Sequence, residues 1–148
     1  MDTTDEIREN ITSYLQSHKK MTLATVSANG RPMAHTVEYA SEGVTVYFAT
    51  NRSSRKVQNI RKNPHVAYTV DEDYEDWFTI KGVQVEGVAT VLAERTEIGK
   101  AARLYIEKFP FIVSFPQSFE IVFVKIEPVS GFYLDYSKGF AHKERVEL

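Results

Sequence analysis

The sequence predicts a mostly β chain with α-helical additions: a small antiparallel β-barrel of six to seven strands flanked by about three helices. Three observations predict it. Apolar residues alternate with period two over six or seven short segments. Two tight turns follow one another, Ala28-Asn29-Gly30 and Ser41-Glu42-Gly43, as in an antiparallel meander. The alternating βα units of a parallel sheet are missing.

The segments read as follows. Thr3 and Glu6 form a capping box for a helix whose stripe is Ile7, Ile11, Tyr14, Leu15 and His18. Strands follow over 21–27, 32–40 and 44–50. A short helix capped by Ser53 or Ser54 carries Val57 and Ile60 and ends at Asn63-Pro64. A fourth strand covers 65–70. After the acidic loop 71–76, the run 77–92 reads as one long strand, with Gly82 and Gly87 as bulges or bends. A third helix spans 96–109 and buries Ile98, Ala102, Tyr105, Ile106 and Phe109. Strands over 119–126 and 130–136 close the pattern, and the tail 137–148 has no clear class.

Composition narrows the function. At 148 residues, with 43% hydrophobic and 26% charged, the chain is expected to be one globular domain, 1–148. A net charge of −2 argues against a general nucleic-acid binder. With no cysteine there is no disulfide, thiolate nucleophile or Cys-ligated metal. The acidic N-terminus and the short apolar runs read as a soluble, cytoplasmic protein without a membrane span. The seven glycines build no G-x-G-x-x-G, no P-loop and no G-x-S-x-G, and the four histidines lack metal-ligand spacing.

The densest polar run is Thr50-Asn51-Arg52-Ser53-Ser54-Arg55-Lys56, between a strand end and a helix start. Free backbone N–H groups and the positive end of the helix dipole meet hydroxyls and cations there, which suits a phosphate. The same residues suit a plain helix cap with solvated cations, and the pattern alone leaves both open.

The order Leu23-Ala24-Thr25-Val26, Asn29-Gly30-Arg31-Pro32, 44–50, Ser54-Arg55-Lys56, Asn63-Pro64 and Val85-Glu86-Gly87 resembles the FMN-binding split β-barrel family, the pyridoxamine 5′-phosphate oxidase-like proteins. The stretches 80–87, 108–110 and 138–140 resemble a bacterial branch of the same family. The resemblance implies a homodimer with FMN in grooves between subunits. It implies that Thr50, Ser54, Arg55 and Lys56 hold the phosphate and that the flavin ring lies along His35, Thr36 and Val37. It also shows departures: His35 stands where the family's oxidases have Arg, Ala40 where they have Lys, and Gly82 where they have Gln. Gln84, on the same strand face as Gly82, is expected to take over the glutamine's place.

The resemblance thus implies an FMN-dependent oxidoreductase acting on a small substrate. A non-catalytic flavin module is the alternative, as is a split barrel holding haem, with His142 as ligand, or deazaflavin. True pyridoxamine 5′-phosphate oxidase activity is not expected, because the oxidases' C-terminal Trp and Arg-Leu-Pro elements are missing. Trp77 suits a core or interface position better than a flavin cover. The stripe Phe109, Phe111, Phe115 and Phe119 suits an interface or the barrel mouth.

Overall fold

The computed structural model describes residues 3–115 and 120–148. Phe119, expected in the aromatic stripe and at the start of a strand, lies outside the described residues. The elements are α1 (Thr4–Ser17), β1 (Lys20–Val26), β2 (Pro32–Glu38), β3 (Ala40–Glu42), β4 (Thr45–Asn51), α2 (Arg55–Lys62), β5 (His65–Val70), β6 (Lys81–Val91), α3 (Arg95–Lys108), β7 (Ile121–Asp135) and β8 (Lys143–Glu147). All strand pairs are antiparallel, in the order β2-β1-β5-β6-β7-β4-β3, with β8 added beside β7.

The ends of that order, β2 and β3, are consecutive in sequence and separated only by Tyr39. One bent run of chain therefore forms both edges, and the sheet curls into a split barrel. Tyr39 fixes the bend. It is fully buried, its N–H donates to Lys19 O at 3.0 Å and its hydroxyl to Leu15 O at 2.7 Å. The Lys108 ammonium sits 4.1 Å from its ring centroid. Tyr39→Phe should cost about 1 kcal/mol, the net worth of one buried hydrogen bond. Urea unfolding reads this directly, and an unchanged midpoint would show that the hydroxyl does not hold the corner.

The core lies inside the curl. Ile7, Ile11 and Leu15 of α1 pack on Met21, Leu23, Phe48, Val83, Val124 and Ile126. The capping box is present: Glu6 N–H donates to Thr3 Oγ1 at 3.2 Å and Thr3 N–H to Glu6 Oε2 at 3.3 Å. Both meander turns use a glycine with positive φ, Gly30 at 80° and Gly43 at 58°.

Four expectations are corrected. The run 77–92 does not start as strand: Asp76 Oδ1 accepts the Phe78 N–H at 2.9 Å and winds Trp77–Thr79 into a 3-10 turn. The two expected strands at 119–136 are one, β7, because Pro128 sits at a bulge, where its missing N–H costs no ladder bond. The tail forms β8. On α3 and its cap, Tyr105 and Phe109 are buried as expected, but Ala101 is buried where Ala102 is half-buried, and Ile106 is exposed.

No helix among the described residues is long and apolar enough to cross a membrane.

Candidate functional site

The split lies between β2 and β4, which touch without pairing. Only Thr45–Tyr47 of β4 pair with β3, so the strand is unpaired toward β2 from Phe48 onward. β2 likewise has one free edge. At the end of this seam β4 passes into α2. Asn51 Oδ1 accepts from Ser53 N–H at 2.9 Å and Ser53 Oγ at 2.8 Å, which winds the connection. Ser54, not Ser53, caps α2, accepting the Val57 N–H at 3.4 Å. The Thr50 hydroxyl donates to Ser54 Oγ at 3.4 Å. Arg55 reaches across the split, its Nη1 3.2 Å from Met33 Sδ of β2.

The first turn of α2 has no acidic residue, while Arg55 and Lys56 occupy it. Cations at a helix N-terminus oppose the dipole, at about 0.3–1 kcal/mol each. Among the described residues no carboxylate pairs with either one. The arrangement is unfavourable by itself and becomes favourable around an anion.

His35 completes this cluster. Its Nε2 lies 2.9 Å from Thr25 Oγ1, which accepts from Asn59 Nδ2 at 2.9 Å. Thr25 and Asn59 are buried, 0% and 5% exposed. Burial, then the Lys56 and Arg55 charges, hold the His35 imidazolium below the usual histidine range.

The structure therefore brings Thr50, Ser54, Arg55, Lys56 and His35 together. Val37 points into the core, leaving its backbone to the seam, and Thr36 points outward. Gln84 is not part of the cluster. Thr36, Thr22, Thr69 and Gln84 stand opposite one another in a row on the outer sheet face. Gln84 is thus three strands, roughly 14 Å, from β2 in its own chain.

Sequence reasoning missed Thr25 and Asn59 as site residues, though a signal existed. Thr25 falls in phase with buried Met21 and Leu23, and Asn59 sits between Val57 and Ile60. Both are polar residues on apolar faces.

Ala40, where the resemblance expects lysine in oxidases, is buried against Tyr105 and Phe109, so α3 fills that place. Beside the seam a groove of about 1400 Å³ begins at Glu38 and Ala49 and runs between Tyr105, Phe109, Ile112 and Phe123. Trp77 is not core: it is 63% exposed and clusters with Phe78 and Phe140, at 6.4 Å from the Phe140 centroid. His142 holds Glu144 through Nε2 at 2.9 Å. Among the described residues no group of three or more His, Cys, Asp or Glu is placed to hold a metal.

A split barrel with a cluster of cations and hydroxyls at its seam defines the class. The chain belongs to the pyridoxamine 5′-phosphate oxidase family, whose model matches residues 6–134. Over 86 residues it is 30% identical to general stress protein 26 of Bacillus subtilis, covering 58% of this chain and 60% of that one. Over 79 residues it is 40% identical to the pyridoxine/pyridoxamine 5′-phosphate oxidase of Crocosphaera subtropica, covering 51% of this chain and 34% of that one. The match thus spans less than two thirds of either relative. A heme-binding protein structure from Mycobacterium smegmatis shares the fold with a TM-score of 0.81 at 15% identity, covering 99% of this chain and 59% of that one.

Proposed function

We propose that the chain is an FMN-binding flavoprotein and an oxidoreductase for a small substrate, working as a cytoplasmic homodimer with flavin between subunits. The observation that carries this is the cradle of Arg55, Lys56, His35, Thr50 and Ser54: cations set against a helix dipole, with no carboxylate among the described residues to answer them. Its donor set fits a phosphate monoester. The unpaired backbone edge of β2 at 35–37 is available to the polar rim of a flavin ring. Bound FMN supplies hydride or electron transfer at N5; the protein supplies anchorage, orientation and access. No residue beside the seam is needed as a covalent nucleophile.

The place of Gln84 supports the dimer reading. Three strands from β2 in its own chain, it would meet a flavin held along β2 from a second subunit. On the outer face that carries it, Ala34, Ala24 and Ala67 form one cross-strand row of small side chains beside Thr36, Thr22 and Thr69. The groove beside the seam gives a substrate room. The substrate is set apart from pyridoxamine 5′-phosphate, because Ala40 supplies no cation.

Purified protein should be yellow, with a flavin absorption band, and should sediment near twice 16.9 kDa. Anaerobic NADH or NADPH should bleach the band. Colourless protein that takes up no added FMN overturns the flavin reading. Flavin that stays oxidised with every donor leaves a binding module in place of an enzyme. A Soret band on haem addition would require His142 to leave Glu144, and its loss in His142→Ala would favour haem instead.

A further inference from the structure

We propose that Thr25 and Asn59 are positioning residues that hold His35 neutral, with its proton on Nδ1, so that this N–H serves as a third phosphate donor beside Arg55 and Lys56. The phosphate part rests on the flavin reading above; the tautomer does not.

The Asn59 amide donates to Thr25 Oγ1 at 2.9 Å, so that oxygen is already an acceptor. Thr25 has one hydroxyl proton and is fully buried, so the proton must find an acceptor. The group in reach is His35 Nε2, at 2.9 Å. Thr25 therefore donates, Nε2 accepts, and the imidazole carries its proton on Nδ1. An imidazolium would put an N–H against the Thr25 hydroxyl and strand that proton in the core.

The charged groups that face the ring are Lys56 and Arg55, both on α2; Thr25 on β1 is neutral, as are Met33 and Val37 on either side of His35 along β2. Both charges repel an imidazolium, in the same direction as burial. A second copy of the family's arginine charge is thus not what this chain installs. It installs a neutral donor whose direction is set by two buried side chains. Phosphate recognition at this position then does not depend on histidine protonation.

The test is nitrogen NMR on protein with ¹⁵N-labelled histidine, the His35 signals identified by their loss in His35→Gln. The wild type should show a neutral ring protonated on Nδ1 at about pH 7 and above. Thr25→Val keeps the shape and removes the hydroxyl. It should move the proton toward Nε2 and let the ring protonate at higher pH; Thr25→Ser should restore the wild-type pattern. In parallel, the preference for FMN over riboflavin should fall roughly 3- to 10-fold in Thr25→Val, the loss of one neutral hydrogen bond, and return in Thr25→Ser. An Nε2–H ring or an imidazolium in the wild type at pH 7 overturns the proposal, as does an unchanged tautomer in Thr25→Val. If Thr25→Val does not fold, the wild-type tautomer alone decides. Wild type that binds no FMN ends the flavin reading and leaves the tautomer result standing.

Discussion

Arg55→Ala or Lys56→Ala is expected to weaken FMN binding by roughly 10- to 150-fold, while riboflavin, which lacks the phosphate, binds weakly and is nearly indifferent to either change. A charge-assisted bond to phosphate contributes about 1.5–3 kcal/mol, and each 1.4 kcal/mol is a decade in affinity. Stability should move the other way. Both cations sit in the first turn of α2, against the dipole and without a carboxylate partner among the described residues. Removing one relieves a repulsion of about 0.3–1 kcal/mol, so the apo variants should unfold at the same or a slightly higher urea concentration. The Arg55 contact given up in exchange is a weak N–H to thioether bond with Met33. Poorer ligand binding together with equal or better apo stability marks residues kept for a ligand. Equal losses for FMN and riboflavin, or a drop in apo stability, would assign the pair to the fold.

The clustering of Thr50, Ser54, Arg55 and Lys56 could be read from the sequence because it is local. Thr50 to Lys56 lie within seven residues, and a strand end followed by a helix start converges them without help from the rest of the chain. The same holds for the capping box at Thr3 and Glu6 and for the glycine turns at Gly30 and Gly43. His35 was legible only as a position on a strand. Its partner Thr25 is ten residues away, and Asn59, which bonds Thr25, is 24 away; they meet it through the register of β1 with β2 and the seating of α2 on the sheet. Periodicity marks Thr25 as inward-facing and does not say what it faces.

Gln84 shows the opposite limit. Strand parity correctly puts it on the exposed face of β6. Its distance from β2 depends on the strand order, in which β1 and β5 intervene, and a local pattern cannot supply that. The bend at Tyr39 was hidden for a related reason. Val37 and Tyr39 continue the alternation of β2, and only the burial of Ala40 on the other phase, under α3, shows the strand turning there.

Gly87→Ala should be the most destabilising single-methyl change in the sheet. The ladder between β6 and β7 shifts register between Glu86 and Gly87, opposite Pro128. A Cβ at Gly87 would stand 2.7 Å from Glu127 O and 3.0 Å from Ile126 Cγ2. The first neighbour is backbone, fixed by the ladder, and cannot rotate away. Either the two longest strands part at the bulge or the register moves, and a one-residue slip turns β7 side chains from core to solvent. Val124 and Ile126, both fully buried, are the residues that such a slip would expose. The expected cost is about 2–4 kcal/mol, at the upper end for overpacking. In a chain of this size that lowers the melting temperature by on the order of 10 °C. Gly82→Ala is the control on the same strand. Its nearest neighbour, Val70 O, would be 3.4 Å away, an ordinary contact, so it should cost under about 1 kcal/mol. Thermal unfolding of the two variants beside wild type decides the matter. Equal stability of the two would mean that the close approach at the bulge is not what makes residue 87 a glycine.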